Sequence, residues 1–489
     1  MIHYITASGR ERPGYSARVD YGSQDTVSAA MRAAGVTWPF DYAVSATLNR
    51  TDGYPVAVGG TRDIGAESKA LSYKFNLTPA ENVRLQAVGR YARTEADTTG
   101  SSSTTFAPID GTSSYTSRAL VALLRGELDL LDGRWTHAVT GQINDNRRLS
   151  YGGATGAIRT SGNKGARLKA SYDTSLRLGE QSAEHVITFA ADYEREEFRN
   201  LPPAGPQPLS NERHITNKGV VGEYRFNLGD TLSVGGAVRH DNNTRFKNAT
   251  TYRASGSVKV LEPLRLRAAY GTGIKNPTPF ELYGFSNSTT VFVGNPNLLP
   301  EKSKGWEAGG DLVLAGDQLR LGVTYFDSKL KNEIFSSRVG TASTPGNRVT
   351  DSTQHGIEVS LAARIADQLR VDAAYTHLKA RENGVEEIRR APNIASLNVT
   401  WTPIEAISAT ATVRYNGATF DSNFTSLPGF PARVRLDDYT LVNFAAEWRV
   451  TPNVAIFGRV ENALDEEYTE VFRYRTPGRT GSAGVRATF

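Results

Sequence analysis

The chain has 489 residues, no cysteine, and a net charge of +5 from 56 basic and 51 acidic side chains spread evenly along it. Lack of cysteine excludes a disulfide framework and zinc or iron–sulfur sites held by thiolates, and so diffuse a basic excess excludes a nucleic-acid footprint. The longest apolar run, residues 119–124, is far short of the roughly 18 residues a spanning helix needs, but a membrane β-barrel announces itself by alternation instead.

A chain this long normally splits into several domains, yet no linker or charge block marks a boundary. One continuous architecture is expected. Taken in order, about 22 alternating segments follow one another, at roughly 22 residues each with their connection. Leu71-Tyr73-Phe75-Leu77, Val83-Leu85-Ala87-Gly89-Tyr91 and Leu264-Leu266-Ala268-Tyr270 are examples, with Arg84, Gln86, Arg90, Arg265 and Arg267 interleaved. Leu319-Leu321-Val323-Tyr325 and Ile407-Ala409-Ala411-Val413-Tyr415 repeat the pattern further on. A period of two means extended backbone, because successive side chains leave a pleated strand on opposite sides.

Connections alternate as well. One set is short, as at Trp38-Pro39-Phe40, Leu131-Asp132-Gly133 and Thr451-Pro452-Asn453; the other is long and polar, at 51–67, 94–114, 146–164, 196–213, 271–305, 328–350, 416–437 and 461–478. Sorting of loops by parity is what transmembrane barrels show. Strands rising from a short turn finish their apolar face with Tyr (Tyr21, Tyr91, Tyr193, Tyr270, Tyr325, Tyr375, Tyr415), while Trp38, Trp135, Trp401 and Trp448 lie near short turns and Trp306 at a long loop. Such aromatics suit the headgroup level. The last segment alternates Ala483, Val485, Ala487 and Phe489 against Ser482, Gly484, Arg486 and Thr488, and a terminal strand of this kind can pair with the first to leave no edge. The fold class expected is all-β: a transmembrane antiparallel β-barrel of about 22 strands, with short periplasmic turns and long extracellular loops.

Chemistry-bearing clusters are scarce. The seven His are scattered without metal-ligand spacing, there is no Gly-x-Ser-x-Gly or phosphate loop, and Gly271-Thr272-Gly273 lacks the third glycine of a dinucleotide turn. An enzyme is not expected. The longest loop contains Asn276-Pro277, Asn295-Pro296 and Leu299-Pro300 steps, which enforce extended and turned backbone, so it should be folded. It serves either as a ligand surface over a pore mouth or as a structural plug of its own base.

Two stretches resemble the TonB-dependent outer-membrane receptors. Asn295, Pro296, Leu298, Pro300, Glu301 and Ser303 match that family's Asn-Pro-x-Leu-x-Pro-Glu-x-Ser motif, and Asn462, Asp465, Pro477, Gly478, Arg479 and Phe489 match its end motif, with Ala463-Leu464 in place of Leu-Phe. Within the family the likeness is nearest the cobalamin branch, through Gly53-Tyr54, Leu282-Tyr283-Gly284-Phe285 and Glu301-Lys302-Ser303-Lys304. The resemblance implies residence in the bacterial outer membrane, contact with its lipid, and uptake by a monomer of a scarce, bulky small-molecule ligand. The ligand it points to is cobalamin or a related corrinoid; a siderophore (ferric chelate) receptor and a plug-less diffusion channel are the alternatives, and no nucleic acid is involved.

In that family a plug precedes the barrel and carries the TonB box. Residues 1–12, with Ile2-His3-Tyr4-Ile5-Thr6, look like the end of such a plug, and residues 13–489 like the barrel. TonB is then a partner only where the full-length protein carries a plug. Tyr54, Asp97, Asp110, Tyr283, Phe285 and Asn287 are the expected ligand contacts. No cofactor is required. The cobalamin branch holds calcium through Asp clusters; Asp97 and Asp110 fall where two of those would lie, whereas Pro55 stands where another Asp is expected, and calcium wants six or more oxygens.

Overall fold

The computed structural model describes residues 6–489 except 103, 106, 202–210, 288–290, 340–341 and 424–431. One antiparallel sheet of 23 strands runs from Gly14–Gly22 to Thr480–Thr488, and one of its members is only the two-residue strand Val385–Glu386 hung on a hairpin, so 22 strands form the wall among the described residues. The wall closes: Ser16 lies opposite Thr488 and Gly22 opposite Ser482. Phe489 seals the seam, its N–H donating to the Tyr15 carbonyl at 2.8 Å while the Tyr15 N–H donates to the Phe489 carbonyl at 2.7 Å. No edge remains, as a lipid-embedded sheet requires.

Alternation along each strand sorts the two faces. Cross-strand partners share a face, so Val19 with Val485 and Ala17 with Ala487 point outward, while Arg18 with Arg486 points into the lumen. Trp306 lies directly opposite Tyr270 and 5.3 Å from Tyr325 at the outer level. Trp38, Trp401 and Trp448 project from the inner ends, each more than half exposed. Strand positions facing the lipid between these two levels carry no Lys, Arg, Asp or Glu among the described residues. A basic residue at mid-membrane would cost about 2–4 kcal/mol there.

The lumen face carries the charges instead, in small networks. Arg239 forks onto Asp192 at 2.7 Å and Asp241 at 2.6 Å, with Lys169 3.5 Å from Asp192. Arg84 and Arg125 share Glu127 at 3.0 and 2.7 Å, and each reaches a second carboxylate, Asp129 or Asp173. Such water-facing pairs contribute only about 0.2–1 kcal/mol each; their effect is to hold long side chains against the wall.

The strands reach further than expected at the outer end. Of the stretch 146–164 read as a loop, only 153–157 lies between the strands Trp135–Gly152 and Ile158–Glu180. Likewise the longest loop begins after Leu264–Lys275 and ends before Glu301–Leu314. Both faces of these extensions are wetted, so the polar–apolar contrast that marks a membrane strand is absent.

Candidate functional site

The outer loops gather into three neighbourhoods at the mouth. The first joins the loop of residues 276–300 to that of 332–351. Thr278 caps the short helix Pro279–Tyr283: its hydroxyl accepts from the Glu281 N–H at 3.2 Å, and the Glu281 carboxylate accepts from the Thr278 N–H at 2.7 Å. Leu282 is fully buried against Ile215 of the wall and Leu298. Phe280 stacks on Phe292 at 4.8 Å and meets the lumen-facing Phe198 edge-on at 6.1 Å. Strand Val291–Val293 then pairs in parallel with Ala342–Asn347, which makes one four-stranded sheet from two loops. The described residues of the longest loop are therefore folded, as its prolines suggested.

The Asn295–Ser303 motif is the fastening of this unit. Asn295 donates from its side chain to the Pro345 carbonyl at 3.0 Å, and Asn347 exchanges two hydrogen bonds with the Leu299 backbone at 2.8 and 2.9 Å. Arg245 donates to the Pro296 carbonyl and Asn332 to that of Pro300. Glu301 is buried, paired with Lys275 at 2.6 Å and accepting from the Ile334 N–H at 2.7 Å. Ser303 sits so close over Gly273 that a Cβ there would meet its hydroxyl at 2.7 Å. Tyr283 and Phe285 belong to the same unit: Asn200 donates to the Tyr283 carbonyl at 2.8 Å and accepts from the Phe285 N–H at 3.0 Å. Phe285 also lines a lumen-side cavity of about 700 Å³ with Phe198, Asn146 and Arg167. Asn287 ends the strand Phe285–Asn287, and its side chain lies outside the described residues, as do Ile2, His3, Tyr4 and Ile5.

The second neighbourhood holds Asp97 and Asp110. Asp110 accepts from the Thr61 N–H at 2.6 Å and the Arg62 N–H at 3.1 Å, and these bonds hold its carboxyl below the usual carboxylate range. Arg62 pairs with Asp97 at 2.9 Å and donates to the Gly111 carbonyl. The two aspartates thus clasp the loop 52–65 to the loop 98–113, with a guanidinium between them. Among the described residues no group of three or more His, Asp or Glu is placed to hold a metal ion.

The third neighbourhood unites four loops around Asp421, whose side chain is wholly buried. Arg389 grips it through two bonds of 2.7 and 3.2 Å, and the Phe472 N–H donates to it at 2.7 Å. The end motif builds the base of the last loop: Asn462, at φ 50°, exchanges two 2.9 Å bonds with the Glu466 backbone, and Asp465 accepts from the Arg479 N–H at 2.7 Å. Gly478 packs against Asp465, where a Cβ would come within 2.8 Å of its carboxylate. Pro477 lines the cavity above.

That cavity, of about 480 Å³, is lined by Tyr54, Arg389, Tyr468, Glu470, Tyr474 and Arg475. The Arg475 N–H donates to the Val56 carbonyl at 2.8 Å, fixing the loop 52–65 to the last loop. Tyr439 donates to Glu470 at 2.7 Å and packs on Tyr468 at 4.5 Å. Burial, and then the charge of Glu470, push the phenols of Tyr54 and Tyr468 up, so both are neutral donors at neutral pH. The concave wall combines phenols with Arg475, with Arg389 held by Asp421 and with Glu470 held by Tyr439, and offers donors to a large aromatic or oxygen-rich ligand.

The expected contacts therefore do not form one site: Asp97 and Asp110 stand together, Tyr283 and Phe285 together, and Tyr54 with residues from other loops. Nothing local distinguishes Arg389 and Arg475 in the sequence, while Tyr468 and Pro477 stand there as parts of the end motif and not as ligand contacts. The six described histidines are wall residues; His137 and His185 bond the phenols of Tyr172 and Tyr224 at 2.8 and 2.7 Å.

Solved structures share this architecture. The ferric-catecholate import receptor Fiu of E. coli K12 matches 98% of this chain and 82% of its own, at 16% identity and a TM-score of 0.77. The siderophore receptor PirA of Acinetobacter baumannii matches at 12% identity and a TM-score of 0.78, over 98% of this chain and 81% of its own. The ferric enterobactin receptor PfeA of Pseudomonas aeruginosa, solved in complex with enterobactin, matches at 16% and 0.78, over 98% and 82%. None of these three is a cobalamin receptor, so the corrinoid branch drawn from short phrases such as Leu282-Tyr283-Gly284-Phe285 finds no support. That phrase sits in the fastened loop unit, where packing constrains it. Residues 8–463 match the family model described as TonB dependent receptor-like, beta-barrel, and the chain belongs to that family of outer-membrane transport receptors.

Proposed function

We propose that the barrel takes up a ferric siderophore, and that the Tyr54–Arg389–Tyr468–Arg475 cavity receives it. The cavity carries this reading, because a ferric chelate built from catecholates or hydroxamates presents negative oxygens around a compact, partly aromatic body. Guanidiniums and neutral phenols match both features. The likeness to PirA, Fiu and PfeA supports the same class over a corrinoid, and so does the engagement of Asp97 and Asp110 by Arg62 and backbone N–H groups. One chain closes the wall, which supports a monomer. Import through TonB would draw on the plug that the family's architecture supplies.

The test is a titration of refolded protein, followed by Trp fluorescence, with a ferric tris-catecholate and with cyanocobalamin. Saturable binding of the chelate is expected, weakened about tenfold in Arg475→Ala, the size of one charge-assisted hydrogen bond. Saturation by cyanocobalamin alone overturns the reading. Large steady conductance in a planar bilayer that the chelate fails to block would favour a diffusion channel.

A further inference from the structure

Three neighbouring strands, Trp135–Gly152, Ile158–Glu180 and Ala183–Asn200, set nine lumen-facing positions in three rows. Asn144, Arg167 and Glu196 stand opposite one another; the next row outward is Asn146, Gly165 and Phe198, and the next Arg148, Asn163 and Asn200. All share the face of Phe198, with about 4.8 Å from strand to strand. The middle position is Gly165, so the patch has a hollow at its centre. A Cβ there would come within 3.4 Å of both polar atoms of the Asn146 amide, which lies beside the hollow. Thr278, Phe280, Phe285 and Ser286 of the longest loop complete the enclosure, a cavity of about 700 Å³. That is within the roughly 300–1,000 Å³ of a small-molecule site.

The side chains around the hollow differ in what they have left to offer. Arg167 is held by Glu196 at 2.9 Å, and Asn200 spends its amide on the Tyr283 carbonyl and the Phe285 N–H. Asn144, Asn146 and Asn163 make no side-chain hydrogen bond among the described residues; Asn217 and Asn227, further round the lumen, bond Asp241 and Glu184. A free amide holds a donor and an acceptor side by side, the complement of a sugar hydroxyl, which is both. Glu196 beside Arg167 would repel an anion, so the patch favours hydroxyls over carboxylate or catecholate oxygens. Phe280 meets Phe198 edge-on at 6.1 Å, and Phe285 lines the same cavity. Apolar C–H faces pack on such rings. A pyranose with every hydroxyl equatorial carries them around its rim and leaves both faces apolar. Amides around a hollow, with phenyl rings beside it, match that shape, and it is the shape of β-glucose.

We propose that this lumen cavity binds a β-glucopyranosyl ring, seated over Gly165 with its hydroxyls on Asn144, Asn146 and Asn163 and an apolar face towards the phenylalanines. The ring is either a unit of a saccharide or a substituent on a larger ligand. This site is distinct from the Tyr54–Arg475 cavity and does not rest on the chelate reading.

The refolded chain, in a detergent without a sugar headgroup, is titrated calorimetrically with cellotriose, with β-1,4-galactotriose, and with a ferric tris-catecholate bearing or lacking β-glucosyl substituents. Saturation by cellotriose is expected, with galactotriose, whose axial hydroxyl breaks the flat rim, at least about tenfold weaker. Each amide removed should cost about fivefold, so N144A/N146A/N163A should bind roughly 100-fold more weakly. Gly165→Val fills the hollow with a side chain that a strand accepts and should abolish binding. Asn398→Ala, which removes a lumen amide of the strand Asn393–Ile404, should leave it unchanged. A gain on glucosylating the chelate, lost in the triple variant and without binding of cellotriose, would identify the ring as a substituent; binding of cellotriose identifies a saccharide. Heat-modifiable gel mobility reports folding; should the triple variant not fold, Gly165→Val decides, and should neither fold, the two trisaccharides on the parent chain decide. Absence of both cellotriose binding and a gain from glucosylation, equal binding of galactotriose, or a folded variant at Gly165 or the three amides that binds like the parent, overturns the proposal.

Discussion

The two sides of the barrel mouth are fastened by different forces. On one side, the helix Pro279–Tyr283 and the mixed loop sheet are held by Leu282, Leu298, Ile215 and a stack of phenylalanines. On the other, the loops meet around a buried carboxylate, Asp421, its Arg389 partner and a group of tyrosines. The apolar side carries the Asn295–Ser303 motif; the polar side carries the end motif at its base and, above it, the surface proposed for the ligand. Motif residues are thus guides to assembly here.

Removing one fastener from each side should separate the two roles. The largest effect is expected for Arg389→Ala, which leaves the fully buried Asp421 without its countercharge, a loss of about 3–5 kcal/mol. Chelate affinity should collapse with it, while hydrogen exchange of Val291–Val293 stays slow. Leu282→Ala, by contrast, should cost about 3 kcal/mol through the cavity it opens. It should speed exchange in Val291–Val293 and Ala342–Asn347 while chelate affinity at Tyr468 and Arg475 changes little. If Leu282→Ala abolishes chelate binding and Arg389→Ala does not, the ligand surface lies on the other side.

The barrel was legible because lipid on one face and water on the other impose a period of two. Val83-Leu85-Ala87 reads unambiguously. Where water wets both faces, as along Asn144 and Asn146 above the membrane, the period carries no contrast and strand reads as loop. The parallel pairing of Val291 with Ala342 spans about fifty residues and leaves no local trace. The candidate site was legible as a ligand contact only at Tyr54, and Tyr468 and Pro477 only as parts of the end motif. Its partners Arg389, Tyr468 and Arg475 come from two other loops and meet only because Asp421 draws those loops together. Proline and glycine steps announced the fastened loop, since they restrict backbone directly; a tyrosine awaiting a ligand restricts nothing.

Acid offers a gentler way to divide the two sides. Asp110 ties the loop 52–65, and with it Tyr54, through the backbone N–H groups of Thr61 and Arg62. Those bonds, chiefly that from Thr61, depress its carboxyl, so folding favours the charged form. A depressed carboxyl contributes its full share of stability above the ordinary carboxylate value of about 3.9, and loses it as pH falls through the lower folded-state value. Amide protection of Thr61 and Arg62, corrected for intrinsic exchange, should therefore fall between pH 5 and pH 2.5. In Asp110→Asn it should be low and flat across that range. The bond from the Gly294 N–H to the Gly284 carbonyl, 2.8 Å long within the apolar unit, should hold its protection throughout. Equal loss on both sides would mean that charge fastens the whole mouth and that the apolar contacts of Leu282 and Leu298 are secondary.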